Sequence, residues 1–232
     1  QRIIKELTPY IPAVEIFRIY EREPGAAFLD SSLVNELGHY SVIGRCPYLK
    51  LVKDGKTFTI NGKPETETTF EDYMREYLNT HEDKNDSRLP LVSGAVGYFS
   101  YDYIKYSEPK LKLGEHEDPD FRDMDLMLFD QVIAFDHYRQ KVLLITGVML
   151  DDLENSYQKA EEKLQEMADL IRNGQKAEFL PLQLDSEIKP QFPKEKYCEM
   201  VETAKHYIHE GDIFQVVLSN PMRAKAEGSL FD

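Results

Sequence analysis

The first 150 residues consist mainly of short apolar segments separated by turn signals, and this pattern constrains the fold most strongly. The segments contain many β-branched and aromatic residues, which favour strands. They lie at 13–20, 26–29, 40–43, 49–53, 57–60, 90–100, 125–135 and 141–148. Asp54-Gly55 is a typical hairpin turn between two of them, and Asn61-Gly62 is a second turn signal. Short strands joined by tight turns predict an antiparallel sheet.

Apolar residues at helical spacing predict helices beside this sheet. The clearest helix covers 151–171, where apolar residues recur every three or four positions and form one stripe. Asn173-Gly174 supplies its stop signal. Similar patterns predict helices over 70–78 and from Lys194 to about Glu210, with Gly211 as the C-cap of the latter. The predicted fold class is therefore α+β, mainly antiparallel sheet with packed helices.

Periodicity lapses between 175 and 193, a segment that contains three prolines. Such a segment is typical of a linker. We therefore predict a first domain over 1–174, a linker over 175–193, and the start of a second domain over 194–232. In the second region, 213–219 is predicted to be a compact apolar strand. The acidic stretch 115–125 is interpreted as a solvated loop, with a cation site as the alternative.

The charge balance argues against partners with a large anionic surface. The chain carries 42 Asp and Glu against 28 Lys and Arg, a formal net charge of −14. Such a surface repels phosphate backbones and anionic lipid, so we expect neither nucleic-acid nor membrane binding. The two cysteines, Cys46 and Cys198, have no metal-type spacing and indicate a reducing cytoplasm. The six histidines show no metal-ligand pattern either.

Four motifs follow one another along the chain at 28–44, 94–102, 125–130 and 211–219. The first joins Phe-Leu-Asp-Ser to Gly-His-Tyr-Ser-Val-Ile-Gly, and the second begins Gly-Ala-Val-Gly-Tyr. The third reads Asp-Leu-Met-Leu-Phe-Asp, and the fourth reads Gly-Asp-Ile-Phe-Gln-Val-Val-Leu-Ser. In this order they resemble the chorismate-using large subunits of anthranilate synthases, whose first motif pairs Leu-Leu-Glu-Ser with Gly-Arg-Tyr-Ser-Phe-Ile-Gly. The resemblance implies an N-terminal portion of such a subunit, ending early in the chorismate-binding domain.

The resemblance implies conversion of chorismate and glutamine-derived ammonia to anthranilate and pyruvate, in tryptophan biosynthesis. It also implies a glutaminase subunit (component II) as partner. Mg²⁺ is the implied cofactor, with its ligands expected beyond residue 232 and none in this chain. The chain of 232 residues alone is expected to be inactive. Aminodeoxychorismate synthase component I, of folate synthesis, is an alternative, because Phe-Leu-Asp-Ser is familiar there. A non-catalytic regulatory or partner-binding fragment is an alternative of another class.

Gln215 is the candidate catalytic residue that the resemblance implies. In relatives that add water, the isochorismate and salicylate synthases, the matching strand carries lysine at this place. Lysine can act as a general base for water, whereas neutral ammonia is already nucleophilic. The amide of Gln215 can instead hydrogen-bond substrate or position ammonia, so it favours nitrogen chemistry. The alternative is an inward polar residue with a satisfied amide.

Leu29, Asp30, Ser31 and His39 are the implied residues of an effector site. In the family the Leu-Leu-Glu-Ser segment helps bind tryptophan as a feedback inhibitor, and its carboxylate receives the ammonium group. Asp30 keeps the charge but is one methylene shorter, and a charge-assisted hydrogen bond needs close contact. His39 stands where Arg or Lys is usual, and a neutral imidazole attracts an effector carboxylate less. Both departures weaken the expectation of tryptophan inhibition. The alternative is that Asp30 and Ser31 hydrogen-bond within a turn.

Overall fold

The computed structural model describes residues 1–21, 23–31, 38–81, 94–108, 110–111 and 121–231. The chain forms two compact units, unit 1 over Gln1–Ala177 and unit 2 over Glu178–Asp232. The strands of unit 1 are β1 (Arg2–Leu7), β2 (Ala27–Leu29), β3 (Tyr40–Arg45), β4 (Leu49–Asp54), β5 (Thr57–Ile60), β6 (Lys63–Glu65), β7 (Gly94–Phe99), β8 (Met124–Phe129), β9 (Gln131–Asp136) and β10 (Lys141–Gly147). Its helices are α1 (Ala13–Tyr20), α2 (Phe70–Thr80) and α3 (Leu153–Asn173), with a 3₁₀ helix at Tyr101–Tyr106.

The strands of unit 1 form two five-stranded sheets, sheet A in the order β1-β10-β9-β3-β2 and sheet B in the order β6-β5-β4-β8-β7. Neighbouring strands in both sheets are antiparallel, which confirms the predicted α+β fold. Both predicted hairpin turns are confirmed as well. Asn61 and Gly62 have φ angles of 50° and 77°, the left-handed pair that a type I′ turn requires.

Unit 1 is layered, and each sheet packs against other elements on both of its faces. Sheet A is covered by α1 and α3 on one face and by β7 and β8 of sheet B on the other. The outer face of sheet B packs against α2. The apolar stripe predicted for α3 is its buried face from Ala160 to Ile171, whereas Leu153 and Tyr157 at its start are exposed. This burial explains the stability of the helix better than propensity does.

Close packing explains why two positions of the first and second motifs are glycines. A Cβ atom on Gly97 would lie 1.9 Å from the backbone oxygen of Asp125 in the neighbouring strand. A Cβ atom on Gly44 would lie 2.8 Å from the ring of Phe129. Both glycines are therefore required where strands and sheets approach each other, since real Cβ atoms do not tolerate such contacts.

Two predictions for unit 1 are wrong. The predicted strand over 13–20 is instead the helix α1. Ala13, Ile16 and Tyr20 form its buried stripe at helical spacing. Packing of that stripe outweighs the strand propensity of its β-branched and aromatic residues. The segment 125–135 was expected to be one strand but is divided at Asp130 between β8 of sheet B and β9 of sheet A.

Unit 2 contains one long helix and short strand pairs. Its elements are α4 (Lys194–Glu210), β11 (Gln183–Leu184), β12 (Lys189–Pro190), β13 (Met222–Arg223) and β14 (Ala226–Glu227). β11 pairs with β14 and β12 with β13. The helix has the predicted bounds, and Gly211 caps it in the left-handed conformation at φ 82°. Residues 175–177 of the predicted linker thus belong to unit 1, and the remainder, with the strands β11 and β12, belongs to unit 2.

The prediction of a strand over 213–219 is wrong, since this segment has no regular secondary structure. A strand needs a neighbour to accept its backbone hydrogen bonds, and the described part of unit 2 offers this segment none. None of the residues 178–231 is buried. Within the described ranges, no helix has the length and apolar character needed to cross a membrane. Most of the acidic stretch 115–125 lies outside the described residues.

Candidate functional site

Gln215 lies in the irregular segment that follows α4, and its side chain is exposed. Ile213, Val216 and Leu218 of the same segment line an open groove of about 390 Å³ against α4. Met200 is among the helix residues that complete this groove. Ile213, Val216 and Leu218 thus face the helix, whereas Phe214 and Val217 are exposed. The amide of Gln215 is accessible to a ligand.

Asp30 and Ser31 lie together beside the first residues of β3. The Ser31 hydroxyl donates a hydrogen bond to the Tyr40 carbonyl at 2.5 Å, and the Ser31 N–H donates to the Ser41 Oγ at 3.2 Å. The Ser41 hydroxyl in turn donates to the Asp30 carboxylate at 2.6 Å. Both side chains are therefore fixed to β3 by local hydrogen bonds.

Ser41 also connects Asp30 to two residues that are distant in sequence. Its Oγ lies 2.6 Å from His137 Nε2, and His137 Nδ1 lies 3.1 Å from the Tyr10 hydroxyl. Ser41 is fully buried. Burial raises the pKa of Tyr10, so its phenol remains a neutral donor at physiological pH. Ser41, His137 and Tyr10 are not among the site residues predicted from the sequence, although Ser41 belongs to the first motif.

The turn between β9 and β10 fixes the position of His137. The neighbouring Asp136 accepts hydrogen bonds from the backbone N–H and the guanidinium of Arg139, both at 2.9 Å. Burial alone would raise the pKa of Asp136, but these bonds outweigh it and leave that pKa lowered. The backbone N–H of His137 donates to the backbone carbonyl of His39 at 2.9 Å. The His39 ring packs on Tyr40, with 4.2 Å between ring centroids.

Leu29 lies on a different face of sheet A from Asp30. Leu29, with Val42 and Gly44, lines a small space between the two sheets. Ser41 precedes Val42 in β3, so its side chain and the Asp30 carboxylate bound to it lie on the opposite face. The space has a volume of about 10 Å³, enough for one water molecule and too small for an indole ring. The structure therefore brings together Asp30 and Ser31, but not Leu29.

The described residues do not form a magnesium site. Mg²⁺ needs several oxygen ligands in near-octahedral geometry. Among the residues with defined positions, no three Asp, Glu, His or Cys side chains converge on one point. No residue of this part of the chain is therefore assigned as a metal ligand.

Residues 38–232 match the profile of the chorismate binding enzyme family. Anthranilate synthase alpha subunit 2, chloroplastic, of Arabidopsis thaliana is 30% identical over 233 residues, which cover 90% of this chain and 36% of that protein. Aminodeoxychorismate synthase component 1 of Bacillus subtilis (strain 168) is 31% identical over 195 residues, covering 78% of this chain and 39% of that protein.

A solved structure matches the entire chain. The crystal structure of anthranilate synthase component I from Streptococcus pneumoniae TIGR4 superimposes with a TM-score of 0.63 and 25% sequence identity. The match covers 100% of this chain and 50% of that one. The chain thus spans between about a third and a half of the length of these three proteins.

Proposed function

The chain belongs to the family of chorismate-binding enzymes, and on that premise we propose that it is the N-terminal part of the large subunit of an anthranilate synthase. The proposed reaction converts chorismate and glutamine-derived ammonia to anthranilate and pyruvate. The observation that carries the proposal is the match of the whole chain, in both fold and sequence, to a component I of anthranilate synthase. The order of the four motifs supports it.

Gln215 is the proposed catalytic residue. A primary amide donates and accepts hydrogen bonds and stays neutral, so it can hold ammonia or a substrate hydroxyl without changing its protonation state. Neutral ammonia needs a position close to the reacting carbon, and it needs no base. The exposed side chain of Gln215 supports this role, because its amide is accessible to a bound substrate.

The proposal includes a glutaminase subunit as ammonia source and Mg²⁺ as cofactor, with its ligands outside the described residues. Mg²⁺ would supply charge neutralisation at a substrate carboxylate. We also place the protein in the cytoplasm. Cys46 and Cys198 support that location, since both are exposed free thiols, which persist in a reducing compartment.

Asp30 is proposed to receive the ammonium group of an amino-acid effector, which the resemblance identifies as tryptophan. Asp30 is exposed, and Ser41 is its one hydrogen-bond donor among the described residues. Because Asp30 is exposed, a ligand can reach its carboxylate. Ser31 and His39 remain proposed as neighbouring contacts. Leu29 also remains proposed as a contact; its side chain is about half exposed and borders the small space between the two sheets.

Aminodeoxychorismate synthase is the second candidate, favoured by Asp30 in the Phe-Leu-Asp-Ser motif and by the Bacillus subtilis relative. A non-catalytic fragment is the third. We expect the chain of 232 residues alone to be inactive, because none of residues 178–231 is buried and unit 2 has no core of its own.

The full-length protein, given chorismate, Mg²⁺ and ammonia, is expected to form anthranilate and pyruvate in equal amounts. Chromatography of the products separates the three candidates. Aminodeoxychorismate without pyruvate would assign the protein to folate synthesis. Unchanged chorismate, together with tryptophan binding, would favour a regulatory fragment. The chain of 232 residues is the control that should give no product.

A further inference from the structure

We propose that His137 and Tyr10 are positioning residues that hold the Asp30 carboxylate in a fixed orientation for an effector's ammonium group. The proposal rests on the effector role of Asp30 proposed above. It arises from a continuous hydrogen-bond chain of Tyr10, His137, Ser41 and Asp30, which joins the N-terminal segment, the β9–β10 turn and β3. Neither the composition of the sequence nor the spacing of its motifs indicates this hydrogen-bond chain.

The donor and acceptor roles along this hydrogen-bond chain follow from the single hydrogen on the Ser41 hydroxyl. A serine hydroxyl has one hydrogen to donate and two lone pairs that accept. The Asp30 carboxylate is an acceptor only and lies 2.6 Å from Ser41 Oγ, so it must receive that hydrogen. The lone pairs of Ser41 then accept from the Ser31 N–H and from His137 Nε2. His137 must therefore carry hydrogen on Nε2.

The other imidazole nitrogen completes the chain. In the tautomer that carries hydrogen on Nε2 only, Nδ1 is an acceptor, and the Tyr10 hydroxyl at 3.1 Å donates to it. The hydrogen bond from Tyr10 thus selects the tautomer that Ser41 requires, as a second partner commonly does for a functional histidine. The backbone N–H of His137 donates to the His39 carbonyl, and this bond fixes the backbone of His137 as well.

The consequence for Asp30 is a single defined carboxylate orientation. One oxygen is held by Ser41, whose own hydroxyl cannot rotate away because His137 and Ser31 occupy its lone pairs. Because Asp30 is exposed, an ammonium group can approach the other oxygen from solvent. A preorganised carboxylate binds a cation more tightly than one that must first be immobilised.

Calorimetric titration of tryptophan into variants of the full-length protein tests the proposal. His137→Phe is expected to weaken binding about tenfold, because Ser41 loses a donor in a buried place. His137→Gln supplies an amide N–H near the position of Nε2 and should restore affinity to within about threefold of wild type. Tyr138→Phe, in the same turn, removes only the hydroxyl of an exposed residue and is the matched control. Thermal unfolding of each variant verifies that it folds.

Nuclear magnetic resonance of the imidazole nitrogens gives a readout that does not depend on tryptophan. Wild type should show hydrogen on Nε2 of His137, and Tyr10→Phe should lower the population of that tautomer. Hydrogen on Nδ1 of His137 in the wild-type protein would overturn the proposal. So would a folded His137→Phe variant that binds tryptophan with wild-type affinity while Asp30→Asn has lost binding. If wild type binds no tryptophan, or Asp30→Asn binds normally, the effector role of Asp30 fails and the positioning role fails with it. In that case the tautomer of His137 still shows whether the hydrogen-bond chain from Tyr10 to Asp30 exists.

Discussion

Replacement of Gln215 with leucine in the full-length protein is expected to lower kcat for ammonia-dependent turnover of chorismate about 100-fold. Leucine has a similar volume, but it can neither donate nor accept a hydrogen bond. Ammonia or the substrate would then be held in the wrong position while chorismate still binds. The decrease should therefore affect kcat more than KM for chorismate, which steady-state kinetics measures directly.

The matched control for this substitution is Gln191→Leu. Gln191 is an exposed glutamine of the same unit that lies outside the motif 211–219, so its side chain should not affect turnover. Gln215→Lys extends the test, since lysine occupies this place in the relatives that add water. It should also suppress anthranilate formation. A Gln215→Leu protein with wild-type kcat would make Gln215 a polar residue without a catalytic role.

Replacement of Asp123 with alanine is expected to destabilise unit 1 by about 3–5 kcal/mol. Asp123 is fully buried and accepts hydrogen bonds from Lys105 Nζ at 2.7 Å and from the Gly55 N–H at 2.9 Å. The Tyr106 hydroxyl donates to the same carboxylate. These partners lie in the 3₁₀ helix and the β4–β5 turn, so Asp123 joins both to β8. Alanine would leave the Lys105 ammonium without its partner in a mostly buried place.

The Tyr106 phenol reinforces this arrangement. Burial raises the pKa of Tyr106, and its hydrogen bond to Asp123 raises it further, so the hydroxyl remains a donor throughout the physiological range. Asp125→Ala is the matched control, because Asp125 forms a surface ion pair with Lys50 at 3.3 Å. Such a pair contributes less than about 1 kcal/mol. Urea unfolding followed by circular dichroism compares the two variants, and equal unfolding free energies would contradict the role assigned to Asp123.

Local signals explain what could be predicted from the sequence. The turn at Asn61-Gly62 and the end of α4 at Gly211 depend on neighbouring residues alone, and both lie at the predicted positions. The predicted stripe of α3 is confirmed from Ala160 to Ile171, whereas Leu153 and Tyr157 at its start are exposed. At 13–20 the residue composition favours a strand, whereas the spacing of Ala13, Ile16 and Tyr20 indicates the helix that forms. The period of the buried residues was the better guide.

Long-range pairing explains what could not be predicted. The division at Asp130 has no turn signal, because the chain moves directly from sheet B to sheet A. The irregular conformation of 213–219 depends on whether a neighbouring strand is present, which the segment itself does not encode. His137 and Tyr10 contact each other across 127 residues of sequence, so no motif could have placed them beside Asp30. Their proposed role follows only from the structure, in which the single hydrogen of the Ser41 hydroxyl is donated to Asp30 and His137 must therefore be a donor.

The most direct test of the proposed amination is the fate of isotopically labelled ammonium. The full-length protein would be incubated with chorismate, Mg²⁺ and labelled ammonium, and the products analysed by mass spectrometry. We expect the label to appear in the amino group of anthranilate, with unlabelled pyruvate formed in equal amount. A product that contains oxygen from water in place of the labelled nitrogen would contradict it.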